Sequence, residues 1–431
     1  MHTGEWLYRL VVRGAYTVAP ALGWGDAKLG RAIRGRARAV EELSRWAHAD
    51  RDPARPTLWF HAPSVGEALQ ARAVIEAIQA VRSDLHFVFT HFSPSAERVA
   101  RAMPVDATAY LPWDVPGEVR KALDAVRPRV LAFTRTEVWP TLTRAAALRG
   151  ARTAFVAATL PPGAGRARAP ARWALRPTWE RLDRVGAVSH EDGRGLVRLG
   201  VPAERVRVTG DPGIDSAHAR LAAADPRAPW LAPFHGAPAP TVVAGSTWPA
   251  DEAVLLPALA WARSYVPGLR VIVAPHEPTP PAVGRLLDRL SGEGWRARSL
   301  ADVERDGDLA GADAVVVERV GVLASLYTAG TVAYVGGGLH RAGVHSVLEP
   351  AAAGLPVLVG PRHDNARAAV ELVEQGGARV VDGVPALSAA LVEWLTRSDD
   401  RTYASARALG YIDAHRGAAE RTASLLLDLL Y

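Results

Sequence analysis

The sequence predicts an α/β protein with two parallel-sheet halves, and two observations support that fold class. Short apolar runs that are typical of buried strands alternate with longer amphipathic segments that are typical of helices. This alternation stops in the Pro-, Ala- and Gly-rich stretch 225–240 and then starts again. Strands that alternate with helices form parallel sheets. The predicted strands are 57–61, 85–90, 130–133, 153–157, 184–188, 241–244, 270–274, 314–317, 332–335 and 357–359.

The chain length indicates more than one domain, because 431 residues exceed what one hydrophobic core usually serves. We expect an N-terminal segment at 1–50, an α/β domain at 51–224, a linker at 225–240 and a second α/β domain at 241–400. A last helix at 401–431 could pack back on the first domain. Ligands of such sheets bind at the carboxyl ends of the strands, so we expect the chemistry there, in a cleft between the two domains.

The overall charge argues against nucleic acid as a partner. Lys and Arg number 51 against 45 Asp and Glu, a formal charge of +6, and no aromatic-rich basic motif accompanies this excess. A negatively charged membrane or a phosphorylated substrate suits the charge better. The chain has no cysteine, which excludes disulfides and thiolate catalysis, and its 13 histidines include no HExxH pair. We therefore expect neither a metal site nor a cofactor.

The N-terminus carries an apolar segment at 6–24, but Arg9 and Arg13 interrupt it, so it falls short of the roughly 18 uncharged residues that a membrane span needs. We expect Pro20 to end or kink its helix. The pattern is typical of a segment that lies in a membrane interface, although a helix packed on its own domain fits equally well. The apolar face comprises Leu7, Leu10, Val11, Gly14 and Val18, and the basic run that follows comprises Lys28, Arg31, Arg34, Arg36 and Arg38.

The first candidate site is PSVGE at 63–67, which follows a predicted strand and opens a helix. Gly66 allows the backbone to turn sharply or to approach a ligand. Glu67 falls in the first helical turn, where the helix dipole favours its ionised form, and an ionised carboxylate can take a proton from a substrate hydroxyl. An ordinary glutamate at a helix start is the alternative interpretation.

Two further stretches could hold an anion. GSTWP at 245–249 offers Ser246 or Thr247 as a helix cap, and such a loop presents free N–H groups. The second stretch is 334–361, in which three glycines could let backbone amides crowd a phosphate. Glu349, in the following helix, could accept hydrogen bonds from ribose hydroxyls. A tight turn and a structural glutamate remain the alternative.

Several motifs in this order resemble the Kdo transferases of lipopolysaccharide synthesis, which move 3-deoxy-D-manno-octulosonic acid (Kdo) from CMP-Kdo to a lipid A precursor. Any one of the motifs is unspecific, but their common order along nearly the whole chain is hard to obtain by chance. They are WFHAPSVGE at 59–67, YLPWD at 110–114, TEVWP at 136–140, VRVTGDPGID at 206–215, AGSTW at 244–248, APHEP at 274–278, GVLASLY at 321–327, the GGGL…HSVLEPAAAGLPVLVGP block at 336–361, and Asn365.

The resemblance implies two Rossmann-like domains that face each other (the GT-B architecture), a metal-independent inverting reaction, and a place on the cytoplasmic face of the bacterial inner membrane. The family's catalytic base falls on Glu67 and its nucleotide-binding glutamate on Glu349. We predict that the donor nucleotide and its phosphate are bound by Ser246, Thr247, His276, Gly336, Gly337, Gly338, Arg341, His345, Ser346, Glu349 and Asn365. We predict that Ser64, Gly66, Glu137, Arg166 and Arg168 lie on the acceptor side. The basic run of Arg166, Arg168, Arg172 and Arg176 could bind acceptor phosphates or anionic lipid heads, and a solvated surface helix or loop is the alternative interpretation.

The sequence departs from the family pattern at four places. Arg135 stands where the family usually has the first acid of Glu-Thr-Glu, Ser346 replaces an Asn, and Gly213 replaces a Lys. Ala274-Pro275-His276 replaces Pro-Arg-His, so one donor-binding arginine is absent. The rival interpretations are a UDP-sugar-dependent transferase such as a lipid-A-disaccharide synthase, a nucleotide-sugar 2-epimerase, and a catalytically inactive protein that binds membrane surfaces.

Overall fold

The computed structural model describes residues 3–22, 28–161 and 163–431, and it divides into two units. The first unit extends to Ser216 and also includes Arg416–Tyr431, and the second unit is Ala217–His415. Each unit contains a parallel sheet of seven strands among the described residues. The predicted fold class is thus confirmed.

The sheet of the first unit has the strand order β3-β2-β1-β4-β5-β6-β7, so the order reverses between β1 and β4. Its strands are β1 Thr57–Ala62, β2 His86–His91, β3 Ala107–Tyr110, β4 Val130–Thr134, β5 Arg152–Ala158, β6 Arg184–Ala187 and β7 Val206–Val208. Its helices are α1 Thr3–Leu22, α2 Lys28–Ala49, α3 Val65–Gln79, α4 Glu97–Arg101, α5 Pro116–Val126, α6 Pro140–Ala147, α7 Ala169–Arg181, α8 His190–Leu199, α19 Ala418–Leu427, and α9 Pro212–Ala222, which continues into the second unit.

Two hydrophobic cores cover the two faces of this sheet. Every residue of β1 is buried, as expected of a parallel strand with helices on both sides. Successive side chains point to opposite faces, so Trp59 packs with Leu43 of α2 while Phe60 packs with Ile75 of α3 and Leu426 of α19. The chain therefore returns to the first unit with its last helix.

The sheet of the second unit has the order β10-β11-β9-β8-β12-β13-β14 and reverses between β8 and β12. Its strands are β8 Thr241–Thr247, β9 Arg270–Pro275, β10 Ala297–Ser299, β11 Ala314–Val316, β12 Val332–Val335, β13 Val357–Val359 and β14 Ala378–Val380. Its helices are α10 Ala232–Gly236, α11 Pro249–Arg263, α12 Pro280–Gly292, α13 Leu300–Asp306, α14 Leu323–Leu326, α15 Leu348–Ala352, α16 Arg367–Gln375, α17 Val384–Thr396 and α18 Ser398–His415.

The stretch 225–240, interpreted from its composition as a linker, contributes to the core of the second unit. Leu231 and Phe234 are buried there beside Val243 and Tyr327. Because the stretch buries large apolar side chains, it belongs to the packed unit instead of tethering two bodies loosely.

The N-terminal helix α1 runs through position 20 to Leu22, so Pro20 does not end it. Trp24 lies outside the described residues. The predicted apolar face of α1 is exposed: Trp6 is 55% accessible, and Leu7, Leu10, Val11, Gly14 and Val18 are exposed as well. Within residues 3–22, 28–161 and 163–431, no helix is both long enough and apolar enough to traverse a bilayer.

Candidate active-site residues in each unit

Glu67 lies at the carboxyl end of β1, beside the point where the strand order reverses. Ser64 precedes α3 in an extended conformation, and its hydroxyl donates a hydrogen bond to Glu67 Oε2. Glu67 Oε1 is 4.0 Å from Nε of Arg135, which follows β4. The Glu67 side chain is 14% exposed. In open parallel sheets, ligands bind at this reversal, so the geometry keeps a carboxylate available at the expected place.

Arg135 adopts a backbone conformation that is uncommon for a residue with a side chain. Its φ is +67°, in the left-handed region, and its amide donates to the Val156 carbonyl at 2.8 Å. Residues held in this region are found where the surrounding structure fixes them, often at functional sites. This conformation places a cation beside Glu67, at the position where the family usually has an acid.

Glu137 lies near a buried imidazole. Trp139 Nε1 donates to His61 Nε2 at 3.3 Å, while His61 Nδ1 is 3.0 Å from the Thr90 carbonyl. Burial lowers the pKa of His61, so the ring is neutral with its proton on Nδ1. Glu137 Oε2 is 3.9 Å from His61 Nε2 and has no hydrogen-bond partner among the described residues. A neutral His61 therefore leaves that oxygen without a proton donor.

Arg166 braces the loops around the candidate site. Its guanidinium donates to the carbonyl of Thr136 at 2.7 Å and also to that of Thr159. Burial lowers the pKa of Arg166. Nη1 and Nη2 thus each have one protein acceptor, and the buried Nε has no hydrogen-bond partner among the described residues, so a role for Arg166 on the acceptor side stays a prediction. Arg168 is exposed at the start of α7.

Asp114 fixes the other end of the loop that carries Arg135, and its role was not predicted from the sequence. The buried carboxylate accepts hydrogen bonds from the amides of Thr141 and Leu142 at 2.9 and 2.8 Å, in the first turn of α6. It also accepts one from the Tyr8 hydroxyl of α1 at 2.9 Å. Burial raises the pKa of Asp114. The Asp of YLPWD was visible in the sequence, but its three donors come from distant segments.

Arg36 differs from the other members of the basic run at 28–38. Its guanidinium is buried, donates to the carbonyls of Leu111 and Pro112 at 3.1 Å each, and lies 4.1 Å from the centre of the Trp113 ring. Burial lowers the pKa of Arg36 to about 10. Arg36 therefore holds the segment after β3 and is not part of the surface. The exposed members of the run are Lys28, Arg31, Arg34 and Arg38.

In the second unit, the glycines 336–338 are needed because backbones pass close together. A side chain at Gly336 would collide with the Ser246 carbonyl, and one at Gly338 would lie 2.6 Å from Gly360. The Gly336 amide donates to the Gly245 carbonyl at 2.9 Å, and the Gly337 amide donates to Asp251 at 2.8 Å. These two amides are thus occupied, in contrast to the predicted role of holding a phosphate.

Asp251 organises this glycine turn from the first turn of α11. Its buried carboxylate accepts hydrogen bonds from the Trp248 amide at 2.8 Å, the Tyr334 hydroxyl at 3.0 Å and the Gly337 amide. The sequence indicated only an acid at a helix start. Its role as an organiser depends on residues more than 80 positions away.

Trp248 brings together histidines from separate loops. Its indole donates to His345 Nε2 at 2.9 Å, and its ring stacks on His340 and His276 with centroid separations of 4.2 and 4.6 Å. Burial, followed by His276 and His340, lowers the pKa of His345 to about 4. His345 is therefore neutral near pH 7. The sequence singled out His276 and His345 but missed Trp248 and His340 as their neighbours.

The remaining donor-set residues lie around α15 and the loops next to it. Glu349 accepts from the Ser346 hydroxyl at 2.6 Å and lies 3.0 Å from Nη2 of Arg220. Asn365 donates to the Val344 carbonyl at 2.9 Å, which ties it to the loop before α15, and Arg341 is exposed in that loop. Thr247 is buried 3.4 Å from Glu252, and Ser246 has a φ of +55°.

Comparisons with known proteins agree with this geometry. A family model described as 3-deoxy-D-manno-octulosonic-acid transferase (kdotransferase) matches residues 37–216. A 3-deoxy-D-manno-octulosonic acid transferase of Bordetella pertussis is 29% identical over 88% of this chain and 88% of its own length. The transferase of the same name from Haemophilus influenzae is 26% identical over 92% of this chain and 91% of its own length.

Solved structures show the same fold at low sequence identity. A UDP-GlcNAc 2-epimerase from Neisseria meningitidis, bound to UDP-GlcNAc, has a TM-score of 0.58 at 14% identity and covers 87% of this chain and 99% of its own. A glycosyltransferase from Rickettsia africae has a TM-score of 0.56 at 10% identity with the same coverage. At these identities the likeness concerns the fold alone.

The two parallel sheets, the strand-end residues and the matched relatives together define a glycosyltransferase enzyme of the GT-B fold class. Within that class, the chain is similar to the 3-deoxy-D-manno-octulosonic acid transferases, whose family model matches residues 37–216.

Proposed function

We propose that this chain transfers Kdo from CMP-Kdo to a lipid A precursor, with inversion at the anomeric carbon and with Glu67 as the general base. The observation that carries the proposal is the Glu67 carboxylate, which is partly exposed at the strand-order reversal of the first sheet and is contacted by Ser64 and Arg135. The names of the matched relatives support the choice of Kdo as the transferred sugar.

In this reaction, Glu67 takes the proton from the acceptor hydroxyl while the hydroxyl oxygen bonds to the anomeric carbon of Kdo. The bond from that carbon to the phosphate oxygen breaks, and CMP leaves with the electron pair. A positioned general base contributes on the order of 10²–10⁴-fold to such a step. Arg135 restrains Glu67 before the acceptor binds, and an acceptor phosphate offers its guanidinium another partner.

The donor is bound by residues of the second unit. Because the amides of Gly336 and Gly337 are occupied, we assign the charge of the CMP phosphate to side chains, namely His276 and the exposed Arg341. Glu349, which Ser346 already orients, accepts hydrogen bonds from the ribose hydroxyls. Trp248 holds His276 by stacking, at a centroid separation of 4.6 Å.

Helix α1 attaches the enzyme to the cytoplasmic face of the inner membrane. Its Glu5 is buried, forms an ion pair with Arg181 and lies 3.4 Å from Arg144, so the helix is anchored to its own unit through charged contacts. The opposite side exposes Trp6, Leu10 and other apolar residues. A contiguous exposed apolar face on an anchored helix is typical of membrane association.

The test of the proposed reaction is an assay of CMP release from CMP-Kdo with and without lipid A precursor, combined with mass analysis of the lipid. We expect release to require the acceptor and the lipid to gain the mass of Kdo. Calorimetric titrations with CMP and UDP compare the donor classes. Acceptor-independent release without a mass gain, or tighter binding of UDP than of CMP, would overturn the assignment and favour a UDP-sugar-dependent transferase of envelope glycolipids.

The membrane proposal has a separate test. The double variant Leu7→Glu/Leu10→Glu should lose co-flotation with vesicles of phosphatidylethanolamine and phosphatidylglycerol. Val81→Glu, which alters an exposed apolar residue elsewhere in the first unit, should float like the parent. Equal flotation of both variants would contradict a role for α1.

A further inference from the structure

A basic cavity lies at the amino-terminal edge of the second sheet, at the opposite end of the strands from Trp248 and the glycine turn. It has a volume of about 500 Å³. Arg270 begins β9, Arg296 directly precedes β10, and Asp313 directly precedes β11. Arg263, near the end of α11, lines the same cavity. All of these residues belong to one unit, and none is in the predicted donor or acceptor sets.

Arg270 is a buried cation without a counter-ion. Only 8% of the residue is exposed, and it forms no ion pair with any carboxylate of the described residues. Its Nη1 has no hydrogen-bond partner there either, and its guanidinium lies 5.8 Å from the centre of the Phe234 ring. Burial lowers the pKa of Arg270. A buried charge is normally paired, because the desolvation of an unpaired charge is costly. Arg270 therefore lacks the anionic partner that a buried cation usually has.

The other charged groups of the cavity do not supply an anionic partner for Arg270. Asp313 Oδ2 is 3.3 Å from Arg263 Nη2 and 3.4 Å from Arg296 Nε, and Asp313 Oδ1 accepts the Arg296 amide at 2.7 Å. One carboxylate is thus shared by two arginines while the third has none. The four side chains carry three positive charges and one negative charge, and this imbalance matches a dianion.

We propose that this cavity is a second binding site, specific for a phosphate dianion, either free phosphate or a small phosphate monoester. The guanidinium of Arg270 forms the inner contact, and Arg263 and Arg296 bind at the rim. Guanidinium groups present paired N–H donors that match phosphate oxygens. The volume lies in the range of small-molecule sites. The site does not depend on the proposed transferase reaction, since it lies at the other end of the sheet.

The test is isothermal calorimetry on the full chain, at pH 7.5 and constant ionic strength, with sodium phosphate, with glucose 6-phosphate and with sodium chloride as the reference. We expect saturable binding of at least one phosphate probe, and the two probes distinguish free phosphate from a monoester. Arg270→Met should weaken this binding at least about tenfold, because it removes the inner charged contact. Since the variant removes an unpaired buried cation, its melting temperature in chloride should not fall.

Matched controls separate this site from the donor site and from general charge loss. Arg379→Met also removes a guanidinium that lies over an aromatic ring, but Arg379 is paired with Glu393 at 2.8 and 2.9 Å, so phosphate affinity should be unchanged. His276→Ala should also leave it unchanged, because His276 lies at the opposite strand ends. Arg296→Gln, at a mostly exposed side chain, should weaken binding about threefold and serves if Arg270→Met does not fold.

Three outcomes would overturn the proposal. The first is a lack of saturable heat with either phosphate probe. The second is equal affinity in the parent and in both Arg270→Met and Arg296→Gln. The third is an equal loss of affinity in Arg379→Met or His276→Ala, which would assign the phosphate to nonspecific charge or to the donor site. None of these results bears on whether the chain transfers Kdo.

Discussion

The two units place an acid at the same topological position and use it differently. Glu67 and Asp251 each lie in the first turn of the helix that follows the first strand of a seven-stranded parallel sheet. Glu67 remains 14% exposed, beside the Ser64 hydroxyl and the Arg135 cation. Asp251 is fully buried and accepts hydrogen bonds from three backbone amides, including that of Leu339, and from the Tyr334 hydroxyl.

The difference shows how a shared fold distributes structural and chemical roles. In the second unit, Asp251 itself holds the loop at the strand-order reversal. In the first unit that task falls to Asp114, which follows β3 and binds the amides of Thr141 and Leu142. Glu67 therefore does not have to hold this loop in place. A carboxylate whose hydrogen bonds all come from buried, uncharged donors has a structural role. A carboxylate that stays accessible beside a charged partner is available for chemistry.

A second parallel concerns a Trp-His pair in each unit. Trp139 and Trp248 each directly precede a proline that begins a helix, and each donates its indole N–H to Nε2 of a histidine. The partner His61 is fully buried within the sheet, whereas His345 lies in a loop with two further imidazoles close to its Trp. The same local pair thus stabilises a core in one unit and a candidate donor site in the other.

The largest expected effect is on catalysis. Glu67→Gln keeps the size of the side chain and removes its basicity, so turnover should fall on the order of 10²–10⁴-fold. The unfolding midpoint in urea and the calorimetric affinity for CMP should stay as in the parent. Turnover within threefold of the parent would show that Glu67 does not act as the general base, and the contrast with the structural Asp251 would be lost.

The reverse pattern is expected at Asp251. Asp251→Ala leaves four donors, three backbone amides and the Tyr334 hydroxyl, without this acceptor and should lower the free energy of unfolding by about 3 kcal/mol. Urea unfolding followed by circular dichroism measures this, with Glu67→Gln as the matched control from the other unit. If Asp251→Ala were as stable as the parent, the contrast between a structural and a chemical acid would be lost.

The pH dependence of stability tests the Trp-His pair of the second unit. The pKa of folded His345 is about 4, whereas an unfolded histidine titrates near about 6.5. Between these values the unfolded chain binds a proton that the folded chain does not, so stability falls as the pH is lowered from about 6.5 towards 4. In His345→Gln, which retains an acceptor for Trp248, the loss between pH 7 and pH 5 should be smaller. An identical loss in both proteins would contradict this account.

The smallest effect is expected at the link between α1 and Asp114. Tyr8→Phe removes one of three hydrogen bonds to a buried carboxylate and should cost about 1 kcal/mol of unfolding free energy. Thr17→Val, which removes an exposed hydroxyl that bonds only locally on the same helix, is the control and should cost less than half as much. A larger loss in the control would place the effect in the helix and not in the Asp114 contact.

The sequence alone predicted the central strands well and the edge strands poorly. The predicted runs 57–61 and 130–133 became β1 and β4, because a parallel strand that is buried on both faces must be apolar throughout. The unpredicted strands among the described residues are β3, β7, β10 and β14, the edges of the two sheets. They are only partly buried, so their sequences carry a weaker apolar signal.

Local pattern determined which elements form and which loops lie at the ends of the strands, since apolar periodicity and turn residues act over a few positions. Only the tertiary structure decided which polar side chains remain available. Arg36 is occupied by carbonyls 75 and 76 residues away, and Asp251 binds an amide 86 residues away. Whether a charge finds a partner depends on such distant contacts, and burial then sets the energetic cost of lacking one. For that reason the sequence indicated Glu67 but did not indicate the unpaired Arg270.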